Sequence, residues 1–309
     1  MRDFARAVAA AYLLLCIGTA AAESVSAVDD TGREIRLAAP AQRIVSLAPH
    51  LTETLFAIGV GERIVGTVRY SDHPPAAKSI PRLGDAFSVS IESVISLDPD
   101  LVVAWQTGGT MRSVRRLIEL GVPVYINEAP ALPDIPQSVE AMARLVGEAE
   151  RGRALAQSFT DTLSGLERDD LGVDVFFQIS DQRLYTVDRE HLIGQAISLC
   201  GGRNIFSDSK IPVPLVSQEA VVSAEPDLIV ITQQPEAAPS PWFDKWARFP
   251  ALAGKIRPID PDLISRPDCG WQKALKRCVN SSKRPGQRES EGDAGEFPVE
   301  WGVSRAIRP

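Results

Sequence analysis

Short apolar runs alternate with helical stretches along most of the chain. Strand-like runs lie at residues 43–47, 64–68 and 101–104, and helical stretches at 52–59 and 91–97 separate them. Since strand and helix alternate, the pattern predicts a parallel sheet covered by helices.

A second alternating set follows, at residues 173–177, 192–200, 220–224, 228–231 and 256–259. Between the two sets, apolar residues recur at helical spacing, namely Val139, Met142, Ala143, Val146, then Leu155, Phe159, Leu163 and Leu166. Residues 148–168 are predicted to form one helix about 30 Å long. We therefore expect two Rossmann-like α/β lobes, residues 23–147 and 169–280, joined by a long backbone helix that lets them rock only slightly.

The N-terminus carries the pattern of a secretory signal peptide. Arg2 and Arg6 precede an apolar run at 7–17, and small residues at 19–22 follow it. We expect cleavage after Ala22 and export to the periplasm. The run is shorter than the roughly 20 residues of a membrane-spanning helix. Lipidation would require a small residue before Cys16, where this chain has a leucine.

Charge excludes one class of partner. The formal net charge of −7 becomes −8 once residues 1–22, with two arginines and one aspartate, are removed. No basic residues are concentrated anywhere, so nucleic acid is not an expected partner. No later apolar stretch is long enough to span a membrane, so contact with a membrane would occur only through a protein partner.

The sequence shows no catalytic constellation, neither a nucleophile elbow nor a glycine-rich phosphate loop. Its three histidines, His50, His73 and His191, are far apart in sequence. Such spacing is more typical of polar surface or cleft-edge histidines than of a metal site. We expect no catalytic residue, metal or resident cofactor. A metal-dependent enzyme using His50 and His73 is the alternative from another class.

Residues 43–56, followed by Gly59, Gly61 and Gly66, resemble the opening of the helical-backbone (class III) substrate-binding proteins of ABC importers. Read locally, the segment is a buried strand, a turn containing Pro49, and a helix capped by Thr52 or a neighbour. The resemblance implies that ligand binds beside this turn, and that the protein delivers it to a membrane permease.

Four further motifs occur in the order typical of the vitamin B12 (cobalamin) branch of that family. They are residues 70–76, residues 98–102 with Trp105, residues 200–206, and residues 216–219. The resemblance covers about residues 41–267. It implies a monomer that captures a corrinoid in the cleft between its lobes.

The resemblance also implies a set of cleft residues. They are Pro49, His50, Tyr70, Trp105 and Tyr185, with Asp262 and Arg266 on a far polar wall. Phe87, after Ala86, and Val213 stand where the family has tryptophans. A corrin is a flat, largely apolar disc with amides at its rim, so aromatic faces suit it. Each aromatic could instead fill the core.

The alternative ligands for this fold are haem and ferric siderophores. Anionic siderophores favour clustered arginines, whereas this cleft would have only Arg266. The resemblance further makes Glu53 and Glu219 docking carboxylates, one on each lobe, that pair with permease arginines. Each could also be an ordinary surface charge, and Glu53 a helix-dipole partner.

From about residue 268 the sequence departs from the family. A shifted reading frame would restore the expected last helix and its cysteine, so we hypothesise a frameshift near Pro267. The resemblance implies a disulfide from Cys200 to that cysteine, and Cys278 lies near its position. Cys269 leaves an odd number of cysteines in the exported chain. Residues 281–309 have no periodicity and are expected to be disordered.

Overall fold

A four-stranded parallel sheet organises the first lobe. The computed structural model describes residues 24–85, 87–166, 172–180, 182–234 and 237–261. The strands of this sheet are β3 (Ile44–Ser46), β4 (Ile64–Gly66), β5 (Leu101–Trp105) and β6 (Val124–Asn127), in the order β4-β3-β5-β6. Their side chains are mostly buried on both faces, as is typical of a parallel sheet between helices.

An antiparallel hairpin, which the sequence analysis did not predict, precedes this sheet. It consists of β1 (Val25–Val28) and β2 (Glu34–Leu37). The turn between them is closed by Asp29, whose Oδ1 accepts hydrogen bonds from the backbone N–H groups of Thr31 and Arg33. Gly32 takes a left-handed φ of 84°. Apolar runs flanking an Asp-Asp-Thr-Gly turn were the sequence signal for it.

The helices of the first lobe are α1 (Pro49–Ile58), α2 (Ile91–Ser96), α3 (Met111–Glu119) and α4 (Ile135–Leu145). The expectation that Thr52 or a neighbour caps α1 was wrong. The helix begins at Pro49, and the Ala48 before it offers no side-chain cap. Proline suits the first helical position because its fixed φ matches the helix and its missing N–H needs no partner.

The second lobe repeats the strand order of the first. Its elements are β7 (Val173–Gln178), α6 (Leu192–Leu199), β8 (Gly202–Asn204), α7 (Gln218–Ala224), β9 (Leu228–Thr232), α8 (Trp242–Ala247) and β10 (Ile256–Ile259). The parallel order is β10-β9-β7-β8. In both sheets the first strand along the chain therefore lies between the second and the third.

The long inter-lobe helix is present as α5, Ala149–Leu166, whose 18 residues span about 27 Å. It packs closely on α4, since a methyl group at Gly152 would lie 2.2 Å from the Cβ of Ala143. Phe159 of α5 is buried in a core that extends from α1 of the first lobe to Phe177 and Ile197 of the second. The two lobes thus share apolar packing on one side.

Several expectations lie outside the described residues. These are the signal peptide at 1–22, the altered sequence from about 268, the tail at 281–309, and Cys278. Over the ranges that the structure does describe, none of the helices has the length and apolar character to cross a membrane.

Candidate functional site at the carboxyl edges of the two sheets

In the first lobe, three neighbouring strands bring the predicted ligand residues to one edge. Pro49 and His50 follow β3, Tyr70 follows β4, and Trp105 ends β5. Since β4, β3 and β5 are adjacent and parallel, their carboxyl ends meet at the same edge. Open α/β sheets bind ligands at that edge, where the chain leaves neighbouring strands in opposite directions.

His50 and Trp105 are in direct contact. Their ring centroids are 5.4 Å apart and their planes meet at 87°, an edge-to-face arrangement. His50 is buried, whereas Trp105 is 37% exposed. The Nε2 atom of His50 lies 3.2 Å from Oδ1 of Asn127, the last residue of β6. The buried His50 ring therefore packs against Trp105, and part of the indole remains exposed to solvent.

Tyr70 occupies a strained turn. Its φ is +66°, a left-handed conformation that costs a residue with a side chain about 1–3 kcal/mol. The side chain is 66% exposed, so burial of the ring does not offset that cost. The next residue, Ser71, is held by Thr67 Oγ1, 2.9 Å from its Oγ, and by Arg82, which donates to its carbonyl. The fold thus holds an aromatic ring at the surface in an unfavourable backbone conformation.

Four buried hydroxyl groups connect this turn to the start of α1. Thr52 Oγ1 lies 2.9 Å from both Ser46 Oγ and Thr67 Oγ1, and Thr67 continues the chain to Ser71. All four side chains are inaccessible to solvent. Hence Thr52, rather than capping α1, fixes the position of the helix relative to the Tyr70 turn.

Phe87 lies on a neighbouring loop and is 83% exposed. The loop is closed by Asp85, whose Oδ1 accepts hydrogen bonds from the backbone N–H groups of Phe87 and Ser88. These bonds lower the pKa of Asp85. The backbone N–H of Arg69 donates to the carbonyl of Gly84 at 2.9 Å, so the Phe87 loop is bonded to the Tyr70 turn.

Tyr185 of the second lobe is half-buried and pairs with Leu215 in an isolated antiparallel bridge. Further backbone bonds extend this pairing, from Thr186 to the carbonyl of Pro214 at 3.1 Å and from Asp188 to that of Pro212 at 3.0 Å. The alternate residues of the paired segment, Ile211, Val213 and Leu215, are all exposed. We call these three side chains the apolar comb.

Sequence analysis singled out only Val213 of the apolar comb. The signal for the other two was the strict alternation Ile-Pro-Val-Pro-Leu at 211–215, which predicts an extended segment with its apolar side chains on one side. Asp262 and Arg266, expected on the far wall, lie outside the described residues. Cys200 is buried at the end of α6, and its expected partner Cys278 is likewise outside them.

The two expected docking carboxylates occupy different kinds of position. Glu53 is the fifth residue of α1 and is half-buried. Glu219 is exposed in the first turn of α7, which connects the second and third strands of its lobe. The helix that makes the corresponding connection in the first lobe is α2, and its first turn contains the exposed Glu92.

The correspondence between α2 and α7 extends to individual hydrogen bonds. Ser90 caps α2 by accepting from the N–H of Ser93, and Ser217 caps α7 by accepting from that of Ala220. The hydroxyl of Ser90 lies 3.3 Å from a carboxylate oxygen of Glu92. In α7, the N–H of Glu219 itself and then the hydroxyl of Ser217 lower the pKa of the Glu219 carboxyl.

Both helices also end alike. Asp98 and Glu225 each take a φ of 46°, and an Asp two residues later binds the start of the lobe's first strand. Asp100 accepts from the N–H groups of Gln42 and Arg43, and Asp227 accepts from that of Asp174. Sequence reasoning missed Glu92. The signal was the repeat of Ser-x-Glu followed by Pro-Asp-Leu, at 90–101 and again at 217–228.

Among the described residues, no three His, Cys, Asp or Glu side chains are grouped so that they could hold a metal ion. His50 directs its Nε2 at Asn127. Burial lowers the pKa of the His191 ring, and the nearby Asp188 carboxylate only partly opposes this effect.

Two lobes of equal strand order, one long connecting helix, and apolar side chains at the carboxyl edges define a bilobal ligand-binding protein. The profile of the family described as periplasmic binding protein matches residues 44–263. The chain belongs to this family.

Individual relatives give a narrower comparison. The chain is 33% identical over 232 residues to the vitamin B12-binding protein of Vibrio cholerae serotype O1, covering 74% of this chain and 84% of the relative. The crystal structure of the periplasmic vitamin B12 binding protein BtuF of Vibrio cholerae superposes with a TM-score of 0.70 at 31% identity, over 78% and 96% of the chains. The periplasmic heme-binding protein RhuT from Roseiflexus sp. RS-1 has the same fold, with a TM-score of 0.66 at 24% identity over 78% and 99%.

Proposed function

We propose that this protein captures cobalamin or a closely related corrinoid between its lobes, in the periplasm, and delivers it to an ABC importer without chemical turnover. The observation that carries the proposal is the set of exposed aromatic rings at the carboxyl edge of the first sheet, Tyr70, Phe87 and Trp105. Large exposed apolar groups collected at one edge are typical of a binding surface rather than of a core. The vitamin B12-binding relatives support the choice of ligand.

The chemistry of both walls suits a corrin ring. Aromatic rings of the first lobe offer broad apolar faces, and the apolar comb offers a second apolar surface beside Tyr185. The comb is aliphatic, so it contributes shape and burial rather than ring stacking. We infer a ligand held by the aromatic side and covered by the aliphatic side. Asp262 and Arg266 remain our candidates for polar contacts at the rim of the ring.

For delivery, we propose that exposed carboxylates flanking the cleft bind basic residues of the permease. Glu219 is one of them. The equivalence of α2 and α7 adds Glu92 as its counterpart on the first lobe, beside the assignment of Glu53. Each of α2 and α7 leads from one parallel strand to the next, so we infer that each begins on the side of its sheet where the strands end. Glu92 and Glu219 would thus lie on the cleft-side edge of their lobes.

A titration of the purified exported chain with cyanocobalamin, compared with haemin, tests the ligand. We expect one-to-one saturable binding of cyanocobalamin. Haemin should bind more weakly, because its anionic propionates favour clustered arginines and Arg266 is the only arginine among the proposed cleft residues. Folded protein that saturates only with haemin would replace the proposal by the haem alternative. Metal analysis of the same sample tests the alternative hypothesis of a metal-dependent enzyme.

A further inference from the structure

We propose that Asp30 is a positioning residue for the cleft: through Asn127 it selects the ring tautomer of His50 and so sets the orientation in which His50 supports Trp105. The proposal rests on the proposed function, since it gives these residues a role in ligand binding. It uses a carboxylate of the N-terminal hairpin that no cleft assignment includes.

The Asp30 carboxylate is held by four donors. Its Oδ1 accepts from the hydroxyl of Tyr125 at 2.9 Å. Its Oδ2 accepts from the side-chain amide of Asn127 at 2.9 Å, the backbone N–H of Glu128 at 2.7 Å, and the hydroxyl of Ser138 at 2.7 Å. Burial, together with the charge of Asp30, raises the pKa of the Tyr125 phenol, which therefore remains a donor. The Asp30 carboxylate is thus held from two elements, β6 with the residue that follows it, and α4.

This arrangement determines which way the Asn127 amide points. An ionised carboxylate can only accept hydrogen bonds, so the NH₂ group of Asn127 must face Asp30. Its oxygen then faces His50, at 3.2 Å from Nε2. An amide oxygen also only accepts, so Nε2 of His50 must carry a hydrogen. The Asp30 carboxylate therefore selects the Nε2–H tautomer of His50 through the orientation of the Asn127 amide.

Because His50 and Asn127 are buried, breaking either of these hydrogen bonds is energetically costly. His50 is 5% exposed and Asn127 is 6% exposed, so water cannot readily replace a missing partner. A buried donor or acceptor left unpaired costs about 1–3 kcal/mol. A reversed Asn127 amide would bring two oxygens together at Asp30 and is disfavoured for that reason.

The last residue of this hydrogen-bond series, His50, contacts Trp105, one of the proposed ligand-binding residues. The His50 ring meets Trp105 edge-to-face, and Trp105 is the backbone neighbour of Asn127 in the β5–β6 ladder. Asn127 consequently fixes the indole in two ways, through the sheet and through His50. Preorganising an aromatic contact in this manner reduces the cost of ordering it when the ligand binds.

The test combines a spectroscopic measurement on ligand-free protein with a binding titration. Nitrogen-15 chemical shifts of the imidazole rings report the tautomer, and the chain has only three histidines, so variants at His73 and His191 assign the His50 signals. We expect the Nε2–H tautomer in the unmodified protein. In Asp30→Ala the Asn127 amide loses the acceptor that orients it and can turn either way, so we expect mixed tautomers and about tenfold weaker binding of cyanocobalamin, the size of one lost charge-assisted bond.

Ser138→Ala is the matched control. It removes one donor to Asp30 but leaves the bond to Asn127, so the His50 tautomer and the affinity should both stay unchanged. Should Asp30→Ala not fold, Asn127→Leu breaks the same link while Asp30 keeps its other three donors, and the same loss of the defined tautomer is expected.

Retention of a pure Nε2–H tautomer in Asp30→Ala or Asn127→Leu would overturn the proposal, as would an equal change in Ser138→Ala. If the unmodified protein does not bind cyanocobalamin, the proposed function fails. The ring spectra of the ligand-free variants still decide whether Asp30 selects the tautomer.

Discussion

Glu92 and Glu219 occupy the same position in the two lobes: each lies two residues after a serine that caps its helix, and each interacts with the hydroxyl of that serine. Both side chains are exposed. A repeat that preserves a surface carboxylate along with its cap gives the protein two similar acidic positions, one on each lobe.

Reversing both charges should impair delivery and leave capture intact. In Glu92→Lys/Glu219→Lys we expect near-normal equilibrium binding of cobalamin. Uptake into vesicles bearing the cognate importer should be lost, because attraction to permease arginines becomes repulsion. The defect should be largest at low salt, where charges are least screened.

The pair Glu53→Lys/Glu219→Lys serves as the comparison. If it loses more uptake than the Glu92 pair, Glu53 is the docking residue of the first lobe. Normal uptake in both pairs would make all three carboxylates ordinary surface charges.

Trp105 and Tyr70 should each contribute directly to affinity. Replacing either by alanine is expected to weaken cobalamin binding by roughly 1–3 kcal/mol, the usual loss for a truncated aromatic anchor. Isothermal calorimetry measures it. Leu120→Ala is the control, since this exposed leucine follows α3 and lies away from the carboxyl edge. Unchanged affinity in both aromatic variants would assign the rings to packing.

The strain at Tyr70 can be separated from its binding role. Tyr70→Gly and Tyr70→Ala both remove the ring, but only alanine keeps a Cβ at the left-handed φ of 66°. We expect the glycine variant to be more stable than the alanine variant by about 1 kcal/mol, with equal loss of ligand affinity. Urea unfolding gives the comparison. An alanine variant as stable as the glycine variant would show that the turn is not strained.

His191 should make stability fall in mild acid. Its Nδ1 accepts the N–H of Ile193 at the start of α6, which requires the neutral ring, and burial lowers its pKa below 6.5. The unfolded chain thus binds more protons as pH drops through 6.5. Its contribution to the free energy of unfolding is complete above that pH and decreases below it, until the folded pKa is passed.

His191→Asn keeps a cap acceptor and cannot titrate in this range. Its unfolding free energy should depend less on pH between about 7 and 5 than that of the unmodified protein. An unaltered slope in His191→Asn would contradict the prediction.

The lobes were predictable because parallel strands covered by helices on both faces are mostly apolar. Residues 43–47, 101–104 and 228–231 are such runs, and the structure has β3, β5 and β9 there. The hairpin at 25–37 was missed because its strands are short and half exposed. The start of α1 was misassigned because a proline and a buried threonine replace the usual polar cap, a choice that depends on Ser46 and Thr67 from neighbouring strands.

The sequence by itself determined the two α/β lobes and the long helix between them, because hydrophobic periodicity is a property of adjacent residues. Only the tertiary structure linked Asp30 through Asn127 to His50, 20 positions later, and made the helix of Glu92 the counterpart of the helix of Glu219. Both depend on which strands become neighbours in the sheet. The long-range packing that selects strand order leaves no mark in the local pattern of either segment.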